Sequence, residues 1–128
     1  MGAALTSPVN DLTLRDIAEL VDVFYIGGTK VGALFGEALI ICRDELKQDY
    51  RFMIKQRGAM MAKGWLLGIQ FEELFQNHLF YDMAAHSNDM ASILRKGIEQ
   101  CGYAFFSESM TNQLFPILPD AVIEALSA

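Results

Sequence analysis

Cysteine is scarce in this chain of 128 residues, which contains only two. Cys42 and Cys101 lie far apart in the sequence and form neither a C-x-x-C pair nor the cysteine and histidine spacing of a metal site. Such usage is typical of reduced thiols in a cytosolic protein. We therefore expect a cytoplasmic protein with no disulfide and no metal centre.

Positive charge is also scarce and is not clustered. Ten lysines and arginines face sixteen aspartates and glutamates, which gives a formal net charge of −6 at pH 7. Proteins that bind nucleic acid neutralise phosphates with grouped basic side chains. The composition therefore predicts no nucleic-acid partner.

Long uninterrupted apolar segments are missing. The most apolar stretch, "VGALFGEALIIC" at residues 31–42, is broken by Glu37 and is shorter than the ~20 residues that a membrane-spanning helix needs. The first sixteen residues show no cationic leader before an apolar core. We expect neither a membrane segment nor a secretory signal.

The glycine motifs of nucleotide-binding proteins are absent as well. "GGTKVG" at residues 27–32 fits neither G-x-G-x-x-G nor G-x-x-x-x-G-K-[ST], and the pattern that follows is a strand and not a helix. The sequence thus gives no support to a nucleotide-binding loop.

Two apolar runs on either side of that glycine-rich turn predict strands. "VDVFYIGG" at residues 21–28 and "FGEALIICR" at residues 35–43 are short and rich in branched or aromatic side chains, which is typical of buried strands. Before them, the spacing of Leu14, Ile17 and Val21 predicts a helix capped by Asn10 or Asp11, the residues at the start of that segment.

After the strands the pattern is mostly helical. Residues 44–57 predict a continuous helix, and residues 59–76 predict a second one that is apolar nearly all round and hence buried. Residues 79–101 predict an amphipathic helix that stops at Gly102. Two strand candidates, residues 103–109 and 111–118, precede a last helix with Pro119 in its first turn.

This order predicts an α/β fold with a change of character near Leu79. We interpret residues 1–78 as the end of a large domain. Residues 79–128 would then be a linker helix and the start of a smaller domain.

Lys30 is the residue in this pattern that most suggests chemistry. An amine held by a turn at the end of a buried strand would be desolvated, which disfavours its charged form and makes it a nucleophile. Lysines of this kind form Schiff bases with carbonyls, including the aldehyde of pyridoxal phosphate. Thr29 and the adjacent glycines would offer a hydroxyl and N–H groups to a phosphate. The alternative is an ordinary turn lysine that points into water.

Three segments together resemble a known family. "DVFYIGGTKVGALFGEALII", "FMIKQRGAMMAKGWLLGIQFEELF" and "TNQLFPILP" are similar, in this order, to the low-specificity threonine aldolases of the aromatic amino acid β-eliminating lyase/threonine aldolase family. That family has the fold-type-I architecture of pyridoxal-phosphate enzymes, which resembles aspartate aminotransferase. The glycine-flanked "TK" matches its Schiff-base site, so the resemblance implies that Lys30 is the Schiff-base lysine.

The resemblance also implies roles for neighbouring residues. Lys55 matches a basic position that helps to neutralise the cofactor phosphate, often across a subunit interface, and Thr29 is a neighbour of the lysine or the phosphate. Lys63 is a weaker candidate, and each of these lysines has the alternative of being a solvated helix residue. The implied activity is retro-aldol cleavage of L-threonine or L-allo-threonine to glycine and acetaldehyde by a homo-oligomer.

Several family residues have no counterpart in this chain. The aspartate against the pyridinium nitrogen, the stacking ring, the phosphate-binding turn and the carboxylate-binding arginine belong to segments that would lie outside it. The chain therefore resembles an internal piece of the enzyme, and we expect negligible turnover from it alone.

Other functions stay open at this stage. The chain could be an inactive remnant or interaction module that keeps part of the fold, since uncovered apolar faces drive association. It could also derive from a related β-eliminating lyase. His78 and His86 are two helical turns apart, too far for shared ligation, and are expected to be partly buried packing residues.

Overall fold

The computed structural model describes residues 1–127, in which six helices and two strands follow one another along the chain. Helices α1 and α2 come first, and strands β1 and β2 follow them. A short 3-10 turn leads into helices α3 to α6. Their bounds are Gly2–Leu5 for α1, Leu14–Leu20 for α2, Val23–Gly27 for β1, Glu37–Ile41 for β2, Asp44–Leu46 for the 3-10 turn, Tyr50–Gln56 for α3, Trp65–Phe75 for α4, Leu79–Gln100 for α5 and Asp120–Leu126 for α6.

Strands β1 and β2 form an antiparallel pair that lies within the two predicted segments and is shorter than them at both ends. Val23 is opposite Ile41, and Gly27 is opposite Glu37. Residues 28–36 connect the strands and carry Lys30. The predicted pair of strands is therefore confirmed, and the register brings both ends of the connecting loop together at Gly27 and Glu37.

Residues 1–127 cover only one face of this sheet. Ile26 is buried, and Phe24 and Ile40 pack beside it against the core, whereas Tyr25 is 62% exposed and Leu39 44% exposed on the other face. The apolar run of β1 predicts burial on both faces, and this is wrong within residues 1–127. Adjacent side chains of a strand point to opposite faces, and only one face has a partner in this part of the chain.

The buried core lies between the sheet and helices α4 and α5. Ile26, Ala33, Leu74 and Phe80 form one cluster, in which Phe80 is only 1% exposed. The Phe80 ring stacks on Phe75 at 4.8 Å between centroids. The loop residue Ala33 belongs to this cluster, so the lysine-bearing loop packs directly on the core.

Helix α1 packs across α5. A side chain on Gly2 would lie 2.9 Å from the Ala84 Cβ and 3.2 Å from the Phe80 ring, so glycine allows the close approach. Asn88 holds the two helices together, because its Nδ2 donates to Ala3 O at 2.9 Å and to Thr6 Oγ1 at 3.0 Å. The sequence pattern did not predict α1, since four residues are too few to show a helical period.

Two predicted helices are shorter than expected. Residues 44–57 divide at Asp49, whose left-handed φ of 56° separates the 3-10 turn from α3. Residues 59–64 are not helical, and α4 buries only Leu74, with Trp65 63% exposed. The expectation of a helix packed on several sides is therefore wrong for this chain.

The later elements confirm part of the prediction. Helix α5 ends at Gln100 and is followed by Gly102 with a φ of 84°, as expected for a glycine that terminates a helix. The two strand candidates after it are wrong, because they form only an isolated bridge between Phe105 and Pro116. No helix within residues 1–127 is long and apolar enough to cross a membrane.

Helix α2 begins with a capping box, although at a different residue from the predicted cap. The Thr13 hydroxyl accepts from Asp16 N at 3.3 Å, and the Asp16 carboxylate accepts from Thr13 N and Thr13 Oγ1, both at 2.7 Å. These hydrogen bonds, with the Thr13 hydroxyl first, hold the pKa of Asp16 below its ordinary value of 3.8. Asn10 instead donates to the carbonyls of Leu5 and Leu12.

Replacing Asp16 with asparagine should destabilise the protein at neutral pH but not in acid. A carboxylate whose pKa is lowered by folding contributes stability above its unfolded-state pKa, and this contribution disappears as the pH falls through the folded-state value. Urea midpoints of the variant and the parent should therefore differ at neutral pH and converge below pH 3.8. The exposed Asp11→Asn serves as the control, and a pH-independent difference for Asp16→Asn would contradict the prediction.

Candidate active site

Lys30 lies on the turn that follows β1. The Gly28 carbonyl accepts from Val31 N and from Ala33 N, both at 3.0 Å, and Gly28 N donates to Gly36 O at 3.2 Å. The loop is therefore closed at its base and folded back on itself directly after Lys30. This backbone pattern fixes the point from which the lysine side chain extends.

The glycines of this loop are required by close packing and by backbone conformation. Gly28 leaves no room for a Cβ, which would lie 2.7 Å from the Ala33 Cβ and 3.0 Å from the Phe71 ring. Gly32 and Gly36 have φ values of 102° and 100°, which L-residues with a side chain rarely adopt. The glycines beside Lys30 thus let the loop press against α4 and α5.

Gln70 on α4 attaches the loop to the helix. Its Oε1 accepts from Leu34 N at 2.8 Å, while its Nε2 donates to Phe35 O at 3.4 Å and to Leu66 O at 3.0 Å. One side-chain amide therefore satisfies a donor and an acceptor of a loop that is more than thirty residues away in sequence. The sequence gives no signal for this role, since Gln70 occupies an ordinary helix position.

Replacing Gln70 with leucine should loosen the loop. The change leaves Leu34 N–H and Phe35 C=O without their partner and should cost about 1–2 kcal/mol of unfolding free energy, because each hydrogen bond contributes about 1 kcal/mol. Amide hydrogen exchange at Leu34 should become faster than in the parent protein. Gln100→Leu, at an exposed position on α5, is the matched control, and equal protection of Leu34 in both variants would contradict the assignment.

A cleft of about 440 Å³ contains the Lys30 side chain. Its walls come from α1, from the strand ends with the turn between them, from α5, and from residues 111–113. The polar side chains that line it belong to Tyr25, Thr29, Lys30, Glu37, Ser87, Thr111, Asn112 and Gln113. This volume falls within the range of small-molecule sites.

Lys30 is exposed, so the predicted burial of its amine is wrong for this chain. Within residues 1–127 its ammonium forms no ion pair, although the carboxylate of Glu37 lines the same cleft. The lysine is therefore accessible to a ligand that enters the cleft.

The other candidate residues are divided between two regions. Thr29 lines the cleft beside Lys30, as expected. Lys55 lies in the last turn of α3, and Lys63 precedes α4; both are exposed and neither lines the cleft. This structure brings Thr29 and Lys30 together and leaves Lys55 apart from them.

None of the two histidines and two cysteines lines the cleft. His78 and His86 are both exposed, so the expectation of partly buried packing residues is wrong. His78 has a left-handed φ of 64° at the start of α5. Cys42 is partly buried and Cys101 exposed, and both are free thiols.

Several cleft residues escaped sequence reasoning. The sequence predicts Tyr25 and Glu37 only as parts of two strands. It predicts Ser87 only as part of an amphipathic helix. Asn112 ends the segment "SESMTN", in which small polar residues alternate with others as is typical of a loop, and this signal could have placed it outside a strand. Their common location depends on α5 lying beside the strand ends, which no local pattern shows.

The comparison with solved structures decides the relationship. The fold matches the threonine aldolase of Leishmania major with a TM-score of 0.93 and 60% identity, over 98% of this chain and 37% of that chain. This chain is homologous to one segment of the threonine aldolases. The predicted α/β architecture, as part of the fold-type-I enzyme fold, is thereby confirmed.

Two curated threonine aldolases are also similar in sequence to most of this chain. The low specificity L-threonine aldolase of Pseudomonas aeruginosa is 30% identical over 109 residues, which cover 84% of this chain and 32% of that protein. The enzyme of the same name from a Pseudomonas species is 28% identical over 107 residues, or 83% of this chain and 31% of that protein. No protein-family profile matches the chain. The chain thus spans about a third of the length of these threonine aldolases.

Proposed function

We propose that this chain carries the lysine-bearing segment of a pyridoxal-phosphate-dependent threonine aldolase, with Lys30 as the amine that condenses with the aldehyde of the cofactor. The observation that supports this most directly is the position of Lys30 on a closed turn in a cleft, within a fold shared with a solved threonine aldolase. The reaction of the whole enzyme is then retro-aldol cleavage of L-threonine or L-allo-threonine to glycine and acetaldehyde.

The cleft suits the aldehyde end of the cofactor better than its phosphate. Lys30 supplies the nucleophilic nitrogen, and the Thr29 hydroxyl stands beside it as a hydrogen-bonding group. Lys30 is also the single basic side chain among the described residues that line the cleft. A phosphate dianion is held best by more than one charged donor, and a second cationic side chain has to come from outside this lining.

Lys55 is our candidate for one of those donors. Its exposed position on α3, outside the cleft of its own chain, suits a side chain that reaches the site of a neighbouring subunit. This arrangement requires a homo-oligomer. It also explains why Lys55 and Lys30 are separated within a single chain.

The chemistry divides between the cofactor and the protein. When bound, pyridoxal phosphate withdraws electrons from the bond that breaks. Lys30 would hold the cofactor through its side-chain amine. The cleft walls orient the substrate with respect to that amine.

We further propose that this chain alone turns over substrate negligibly. The resemblance implies an aspartate at the ring nitrogen and an arginine for the substrate carboxylate, and the described lining of the cleft, whose one acidic residue is Glu37, contains neither. A small amino acid is the proposed substrate of the whole enzyme. The free thiols suit a reducing compartment such as the cytoplasm.

An interaction module is the second candidate, and the exposed apolar surface is the observation that favours it. Leu34 is 87% exposed, Phe106 83% and Phe52 74%. Apolar surface of this kind promotes association with other chains. A related β-eliminating lyase remains the third possibility and would use the same lysine on a different substrate.

Reductive labelling tests the proposal. The purified chain is mixed with pyridoxal phosphate, reduced with borohydride and digested, and the modified lysines are located by mass spectrometry. Modification concentrated on Lys30 is the expected result. An equal distribution over the five lysines of the chain, Lys30, Lys47, Lys55, Lys63 and Lys96, would overturn the proposal and favour the interaction module.

A further inference from the structure

Residues 111–113 form one wall of the Lys30 cleft, and open space lies on both sides of this wall. Thr111 lines the cleft of Lys30 and also a second cavity of about 480 Å³, whose other walls include α5 and residues 108–110. A wall with a cavity behind it lacks the close packing that fixes side chains in a protein interior. Its position therefore depends on the hydrogen bonds that hold it.

The wall belongs to a turn that starts at Ser109. Thr111 N donates to Ser109 Oγ at 3.3 Å, and Gln113 N donates to Thr111 Oγ1 at 3.4 Å. The two hydroxyl oxygens, Ser109 Oγ and Thr111 Oγ1, are 3.1 Å apart and share a hydrogen bond. Serine and threonine side chains that bond to the nearby backbone define the path of a turn. A shift of Ser109 would therefore also move Thr111 and Gln113.

Arg95 on α5 holds the start of this turn. Its Nη1 donates to Ser109 O at 3.1 Å. Its Nε donates to Glu99 Oε1 at 3.0 Å, and its guanidinium lies 4.9 Å from the centre of the Phe105 ring. The Arg95 side chain is only 21% exposed. Because the guanidinium is planar and has contacts on its edge and on its face, its donor to Ser109 O has a fixed direction.

A second attachment of the turn to α5 is weaker. Asn112 Nδ2 donates to Ser87 Oγ at 3.0 Å, and this hydrogen bond joins two neutral groups at an exposed position. Hydrogen bonds in which one partner is charged are about twice as strong as neutral ones. Arg95 is therefore the main attachment of the turn to α5.

We propose that Arg95 is a positioning residue of the candidate active site, which keeps the wall at residues 111–113 in the place that the cofactor requires. Arg95 is not among the described residues that line the Lys30 cleft, so it acts through Ser109 and the turn and not on the ligand itself. This inference rests on the proposed function, because the wall matters only if the cofactor binds beside Lys30.

Labelling of Lys30 at rising concentrations of pyridoxal phosphate tests this inference. Two quantities are read after borohydride reduction: the maximal labelling of Lys30, and the cofactor concentration that gives half of it. In Arg95→Met this concentration should rise about threefold to tenfold, the range that one net hydrogen bond provides. Maximal labelling should stay unchanged, because Lys30 is intact. An arginine that only stabilised the fold would lower the urea midpoint and leave both quantities as in the parent protein.

Lys96→Met is the matched control. It removes the same charge from the next residue of α5, which is exposed and outside the cleft lining, and it should leave the half-labelling concentration unchanged. Arg95→Lys keeps a charged donor for Ser109 O and should give a value between those of the parent and Arg95→Met. Phe105→Leu keeps Arg95 but removes the ring beside its guanidinium, and should raise the concentration about twofold to fivefold.

The outcomes separate this inference from the proposed function. An unchanged half-labelling concentration in folded Arg95→Met would overturn the inference, while selective labelling of Lys30 would still support the proposed function. If Arg95→Met does not fold, an unchanged concentration in Phe105→Leu would overturn it. An equal rise in Lys96→Met would also overturn it, since the loss of charge alone would then explain the effect. Absence of selective labelling at Lys30 in the parent protein would overturn both.

Discussion

Replacing Lys30 with alanine is expected to abolish the selective labelling of this chain by pyridoxal phosphate and borohydride. The remaining lysines should then react only at the low level of exposed amines, because no other lysine lines the cleft. The fold should be unaffected, since Lys30 is exposed and its side chain forms no hydrogen bond within residues 1–127.

The measurement is the fraction of total label recovered at each lysine, with Lys96→Ala as the control. Lys96 is exposed on α5 and does not line the cleft, so its loss should leave the label on Lys30 unchanged. If Lys30→Ala binds as much cofactor, with the same near-ultraviolet spectrum, the amine of Lys30 has no special role.

The second large effect is expected in the core, where Phe80→Ala should cost about 3–5 kcal/mol of unfolding free energy. Phe80 is 1% exposed, stacks on Phe75 and meets Tyr81 edge to face at 5.3 Å. A Cβ on Gly2 would lie 3.2 Å from the Phe80 ring, so loss of this ring would remove part of the surface on which α1 packs. The cavity left by Phe80→Ala would therefore have two effects. It would remove apolar contacts in the core, and it would weaken the support of α1, which forms one wall of the cleft.

Urea denaturation of Phe80→Ala and Phe106→Ala provides the matched comparison. Phe106 is 83% exposed, and the same substitution there should change stability by less than about 0.5 kcal/mol. Similar losses for the two phenylalanines would show that the packing around Phe80 contributes less than its burial indicates. Labelling of Lys30 should also become less selective in Phe80→Ala, because the α1 wall is displaced.

Local sequence patterns were sufficient for the elements whose neighbours in sequence decide them. The pair β1 and β2, the turn that carries Lys30, and helix α5 with its glycine stop all depend on periodicity and on turn residues. The candidate Thr29 is adjacent to Lys30, so its position in the cleft was also predictable. These features arise from interactions between residues close in sequence, since even the outermost pair of the sheet, Val23 and Ile41, belongs to one hairpin.

Predictions that depended on distant partners were less successful. The apolar run of β1 predicts burial on both faces, but a second covering layer is needed for that and only one is present among residues 1–127. Helix α4 is likewise apolar nearly all round and yet largely exposed. An apolar pattern shows what a segment can bury, and only its neighbours decide what it does bury.

By itself, the sequence determined strands β1 and β2, helix α5 with its glycine stop, the lysine in a glycine-rich turn, and the similarity to threonine aldolases. Only the tertiary structure decided that the Lys30 side chain is exposed, that Gln70 anchors its loop, and that Ser87 and Asn112 line the same cleft while Lys55 does not. The physical reason is that a turn forms from hydrogen bonds between residues close in sequence, whereas a cleft requires elements that meet only when the core has packed.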